Sequence, residues 1–233
     1  MVNRTVAAMV LGSSFVVVLL AGAGWAQTAK APYPAMAPVE QYRMASAEEV
    51  ALARSAANDA VSRDAEVLVL GSHGYETAVK GTNGFVCMVE RAWANDFDNA
   101  EFWNPKLRAP HCFNAAAARS VLPAYLERTK LVLSGLTKEQ VEERMKAAVA
   151  KKVFAAPEPG SMCYMMSKQG YLNDNDGHWH PHLMFFLPPT EAASWGANLK
   201  GSPVFAATGA PEPVTIFMVP VTRWSDGTME EMK

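Results

Sequence analysis

The sequence predicts an α+β protein, one antiparallel sheet with helices packed on one face, and three observations carry that reading. Runs of β-branched and aromatic residues bounded by turn residues fill 66–93 and return over 162–219. Between them, over 114–153, apolar residues recur at helical spacing. Strands, then helices, then strands is the order of an α+β fold, not of alternating βα units.

The first segment is a signal peptide, residues 1–26. Arg4 supplies a basic start, Val6–Leu11 and Phe15–Leu20 an apolar run, and Gly24-Trp25-Ala26 a small-x-small cleavage site before Gln27. No second stretch has the length and hydropathy of a membrane span, so no membrane contact is expected after cleavage, and the mature chain is expected to be periplasmic or secreted. Residues 27–45, with Pro32, Pro34 and Pro38, read as an Ala/Pro-rich extended leader without a core of its own. Residues 46–233 are long enough for a single globular domain with a substantial core.

Ser46 and Glu49 have capping-box spacing and open a helix that Asn58 ends. Strands follow at 66–70, 75–80 and 85–93. The turn Gly71–Gly74 and the hairpin signal Thr82-Asn83-Gly84 join them into a β-meander. A loop carries Asn104-Pro105 and Ala109-Pro110. Asn114 then caps a helix that Pro123 must kink or restart, and Gly135 stops it. Thr137 and Gln140 cap a second helix with Val141, Met145 and Val149 on one stripe. Residues 162–171 and 178–187 read as a hairpin around Asp176-Gly177, followed by strands at 203–207 and 214–219.

The chemistry concentrates at His178, His180 and His182. On a strand, alternate residues share a face. One face then reads His178, His180, His182, Met184, Phe186, and the other, apolar and core-directed, Trp179, Pro181, Leu183, Phe185, Leu187. Residues two apart on a strand have Cα atoms about 6.6 Å apart, so two of these imidazoles can chelate one ion, with a further ligand from elsewhere. His73, His111, Asp174, Asp176 and Met184 are the candidates for it. The expected cofactor is one transition metal: zinc or iron with nitrogen and oxygen ligands, copper if methionine sulfur joins. Met162, Met165, Met166 and Met184 make this hairpin rich in methionine. An enzyme built here would use the metal to activate water or dioxygen. The alternative is a non-catalytic module that binds a small molecule or a protein and holds no metal.

Other classes are disfavoured. With 21 basic against 23 acidic residues and no basic cluster, nucleic acid has no electrostatic footprint to bind. No glycine-rich phosphate loop is evident, so no nucleotide cofactor is indicated. The 172–177 turn mimics a calcium loop, but Leu172 and Leu183 occupy positions that need oxygen ligands. Ser72-His73 lies in no GxSxG context. Of Cys87, Cys112 and Cys163, two can form one disulfide in an exported protein, in three possible pairings. Cys87 and Cys163 both sit in apolar strand-like runs that also suit a buried free thiol.

Overall fold

The computed structural model describes residues 32–175, 177–209 and 211–231. The signal-peptide segment and Asp176 lie outside the described residues. The helices are α1 (Ser46–Arg54), α2 (Asp59–Ser62), α3 (Ala115–Ser120), α4 (Leu122–Leu133) and α5 (Lys138–Ala150). The strands are β1 (Glu66–Leu70), β2 (Tyr75–Val79), β3 (Val86–Glu90), β4 (Ala109–Phe113), β5 (Met162–Met165), β6 (His182–Leu187), β7 (Phe205–Thr208) and β8 (Thr215–Pro220). They form one open sheet in the order β2-β1-β3-β4-β5-β6-β8-β7. The α+β class and the mostly antiparallel sheet are as expected from the sequence.

The meander is not. β1 and β2 form a hairpin, but β3 crosses over to the far side of β1 and pairs with it in parallel. Thr82-Asn83-Gly84 turns the chain, with Gly84 at φ +80°, yet it is tied backwards instead of closing a hairpin. Thr82 N–H donates to Asp64 O at 2.8 Å, Asn83 Nδ2 donates to Val61 O at 2.8 Å, and Glu66 N–H donates to Phe85 O at 2.9 Å. A side chain at Gly81 would collide with the backbone of Ala65 and Glu66, so this crossing needs glycine.

The expected loop at 109–113 is a central strand. Pro110 is tolerated because β4 pairs with β5 only through Cys112 and Phe113, leaving Pro110 opposite Val89 of β3 alone. Helices cover both faces of the sheet, not one. α3 and α4 pack Ala117, Val121 and Leu122 on Met88, Phe113, Cys163, Met184 and Phe186. On the opposite face, α1 packs Leu52 and Ala53 on Cys87, Val89 and Cys112. The odd–even alternation of β3 and β4 feeds two cores.

Several local signals act as read. Asn114 caps α3 by accepting from Ala117 N–H, Pro123 restarts the chain in the first turn of α4, and Thr137 with Gln140 forms a capping box on α5. Glu49 does not close a box on Ser46. It is fully buried and engaged by β1 and by Arg91. Asn58 caps the next turn, α2, by accepting from Val61 N–H.

The described part of the 27–45 segment is no free leader. Tyr42 is fully buried, its ring tilted against that of Trp93 with centroids 4.9 Å apart. Its hydroxyl donates to Trp103 O at 2.8 Å, and its carbonyl accepts from Arg91 Nε at 2.7 Å. The segment lacks a core of its own because it completes another one.

Cys87 and Cys112 are register partners on β3 and β4 and form a disulfide, while Cys163 is a buried free thiol. The bond closes a sequence separation of 25 residues, which by the chain-entropy argument contributes about 3–4 kcal/mol. Such a bond belongs to an oxidising compartment. No described helix is long and apolar enough to cross a membrane.

At the other end of the sheet, Phe217 of β8 is fully buried under Trp195, whose ring stacks on it at 4.4 Å. Phe217→Ala is expected to cost about 3–5 kcal/mol in urea unfolding, from lost transfer energy and the cavity left behind. A loss below about 1 kcal/mol would contradict this packing.

Candidate functional site

The three histidines do not form a row. Strand geometry starts only at His182, so His178 and His180 precede β6. Pro181 brings no N–H to a ladder. Two carbonyls that a ladder would use are instead met by imidazoles: Nδ1 of His178 lies 2.9 Å from Trp179 O, and Nδ1 of His182 lies 2.7 Å from His180 O. Pro181 O accepts from Val221 N–H at 2.8 Å. His180 is turned outward, its Nδ1 at 2.7 Å from Glu230 Oε1.

The facing of β6 is also reversed relative to the expectation. Met184 and Phe186 point into the core under α3 and α4, whereas Leu183, Phe185 and Leu187 are half-buried on the other side. The strand expected over 162–171 ends at Met165, because Met166 N–H leaves the sheet to donate to Ala56 O at 2.9 Å.

The proposed additional ligands scatter. His73 is exposed in the β1–β2 turn, separated from β6 by β3, β4 and β5. Asp174 is held in a surface network with Tyr33, Tyr171 and Lys106, which together keep its carboxyl far below the usual carboxylate range. His111 lies in β4, not in a loop, and is buried. Met184 is buried two strands away on β6, opposite Cys163 of β5. Among the described residues, no three His, Cys, Asp or Glu side chains converge on one point.

A different site emerges from residues that the sequence does not mark as chemistry. A cleft of about 230 Å³ opens between the start of α4, the loop at 94–99, residues 154–157, and the β7–β8 hairpin. Val121, Ala124, Phe154, Val214 and Ile216 make its apolar walls. Arg128 and Glu212 close its floor. Arg128 Nη2 meets both carboxylate oxygens of Glu212 at 2.9 and 2.8 Å; Arg128 is buried and Glu212 half-buried. Nη1 donates to the carbonyls of Ala94 and Asn95 at 3.3 and 3.2 Å, and the guanidinium lies 4.7 Å from the centre of the Phe97 ring. Such a pair is costly to bury unless its remaining donors are used, and here Nη1 as well as Nη2 is engaged. It locks the 94–97 loop, α4 and the β7–β8 turn together and so fixes the cleft.

Tyr125 lies behind this floor and borders both the cleft and a water-sized chamber of about 10 Å³. Burial raises its phenol well above the usual value, so its hydroxyl is a hydrogen-bond donor at neutral pH. The chamber also meets Glu90, whose Oε1 is buried with no partner among the described residues. Glu90 Oε2 lies 3.4 Å from His111 Nδ1, and that nitrogen also lies 3.1 Å from Ala109 O. Burial pushes Glu90 up to about 8 and His111 down to about 3, so both are neutral at pH 7. By contrast, Ser120 at the cleft wall is fully engaged, its hydroxyl donating to Ala116 O at 2.7 Å and accepting from Glu158 N–H at 3.0 Å.

One signal could have pointed here. Arg128 stands three and four residues from Tyr125 and Ala124 and four from Val132, on the apolar stripe of its helix. A charge there must be paired or solvated through a cleft, and it is both.

Comparisons with protein-family models, with curated proteins and with solved structures find no match to this chain.

Proposed function

We propose that the chain is an extracytoplasmic binding protein, periplasmic or secreted after loss of residues 1–26, that takes a small and largely apolar molecule into the Arg128–Glu212 cleft. The observation that carries this reading is a preformed concave site with a mainly apolar wall interrupted by polar groups, the usual make-up of a small-molecule pocket. Its volume falls below the roughly 300–1,000 Å³ of sites for drug-sized ligands, which favours a compact occupant. Arg128 is satisfied by Glu212 and backbone carbonyls, so it has no unmatched charge to offer an anion. Tyr125 has a hydroxyl with no hydrogen bond among the described residues, which suits a ligand with a single acceptor at its inner end.

Calorimetric titration with 1-naphthol, a compact bicyclic with one hydroxyl, tests the reading. Saturable one-site binding is expected. Thr208→Trp, at an exposed wall position on β7, is expected to weaken it at least tenfold by filling the mouth, with the melting temperature unchanged. Binding that is absent, or indifferent to Thr208→Trp, would overturn the cleft as the site.

A further inference from the structure

We infer that the inner face of the β5–β6 ladder is a site for a soft monovalent metal ion, with copper(I) as the chemical match. Its parts are Cys163 and Met165 on β5 and His182 and Met184 on β6. The register pairs Cys163 with Met184 and Met165 with His182, so the four side chains share one face in two adjacent rows. Paired positions on neighbouring strands have Cβ atoms about 4.5–5.5 Å apart, and rows two residues apart are separated by about 6.6 Å. The four therefore frame a rectangle small enough for one ion held above its centre. His111 flanks it from β4, one residue before Cys112, which pairs with Tyr164 of β5.

The donor set is unusual for a plain core. It contains a thiol, two thioethers and one imidazole, all soft or borderline ligands that select copper(I) over hard cations, with His111 beside it and outside the set. Cys163, Met165, Met184 and His111 are buried and His182 is half-buried, so water would not compete for the ion. Both imidazoles are oriented as metal-bound histidines usually are. Nδ1 of His182 faces His180 O at 2.7 Å and Nδ1 of His111 faces Ala109 O at 3.1 Å. With the proton on Nδ1 in each ring, Nε2 keeps its lone pair, and no hydrogen bond occupies it among the described residues. On coordination the Cys163 S–H bond gives up its proton to solvent, a Cu–S bond forms, and the metal stays in the +1 state. This site goes beyond the cleft and does not depend on it.

The test is anaerobic titration of the full chain with copper(I) in competition with a bathocuproine chelator, followed by X-ray absorption at the copper edge. One equivalent is expected to be retained, with both sulfur and nitrogen scatterers. The double variant Met165→Leu/Met184→Leu keeps the packing volume and removes two ligands, and is expected to lose at least tenfold in affinity. His178→Ala/His180→Ala, which removes only the outer imidazoles, is expected to bind within twofold of the wild type. Nitrogen-only scattering, no retention, or loss confined to the outer pair would overturn the inference. The absorption spectrum of the wild type decides the matter even if the leucine variant fails to fold.

Discussion

Arg91→Met is expected to lower the free energy of unfolding by about 3–5 kcal/mol, because it strands a buried carboxylate. Arg91 and Glu49 are both inaccessible to solvent, with Nη2 to Oε1 at 2.8 Å. Around that pair the chain is stitched from three places. Leu70 N–H donates to Glu49 at 3.1 Å, Arg91 Nε donates to Tyr42 O at 2.7 Å, and Nη1 donates to Val89 O. Removing the guanidinium leaves the Glu49 carboxyl without its partner in an apolar surround and frees the carbonyl of Tyr42, on which the N-terminal segment hangs. The double variant Glu49→Leu/Arg91→Met is expected to be more stable than Arg91→Met alone, since it leaves no unpaired charge. Urea denaturation of the three proteins measures this. A single variant within about 1 kcal/mol of the wild type, or a double variant less stable than the single, would refute the account.

The second large effect is in the pH profile. Glu90 titrates near 8 in the fold, against about 4.3 when unfolded. Its contribution to stability is therefore present in acid and is lost as pH rises from about 4.3 through 8. His111 titrates near 3 in the fold, against about 6.5 when unfolded. Its contribution is present above about 6.5 and is lost as pH falls through 3. The two slopes oppose each other between about 4.3 and 6.5, so stability is expected to be flat there and to fall on both sides. Glu90→Gln keeps the shape of the side chain and removes its titration. It is expected to abolish the alkaline fall and to leave the His111 rise unopposed between about 4.3 and 6.5, so that the gain over the wild type grows from pH 4.3 upward to about 3–5 kcal/mol at pH 8.5, at ~1.36 kcal/mol per pH unit. Thermal melts of both proteins from pH 4 to 9 read the difference. Parallel profiles above pH 6.5 would show that Glu90 is not the group responsible.

Both effects arise from charged or titratable residues set into apolar periodicity, and that is where the sequence is hardest to read. Glu90 alternates with Met88 and Val86 on β3, and Arg128 shares the stripe of Tyr125 and Val132 on α4. Periodicity marks such positions as inward, but it does not say which distant residue meets them. Arg128 reaches Glu212 across 84 residues, and Arg91 reaches Glu49 across 42. The candidate cleft was illegible for that reason: its walls come from α4, a loop before β4 and the last hairpin, and no local pattern joins them.

The histidine cluster failed in the opposite way. The spacing of His178, His180 and His182 was visible, but its meaning rested on a strand that Pro181 and two imidazole–carbonyl contacts prevent. What replaces it is cross-strand: the pairing of Met165 with His182 and of Cys163 with Met184 is a property of register.

By itself, the sequence determined the α+β class, the strands at β1, β3, β6 and β8, and the caps at Asn114, Thr137 and Gly135. These are set by period, propensity and turn chemistry, which act within a few residues. Only the tertiary structure decided that β3 crosses β1 in parallel, that Pro110 lies in a sheet, that both sheet faces carry helices, and that Cys87 pairs with Cys112. Each of these depends on which surfaces must be buried together, and burial is a property of the whole chain rather than of any window along it.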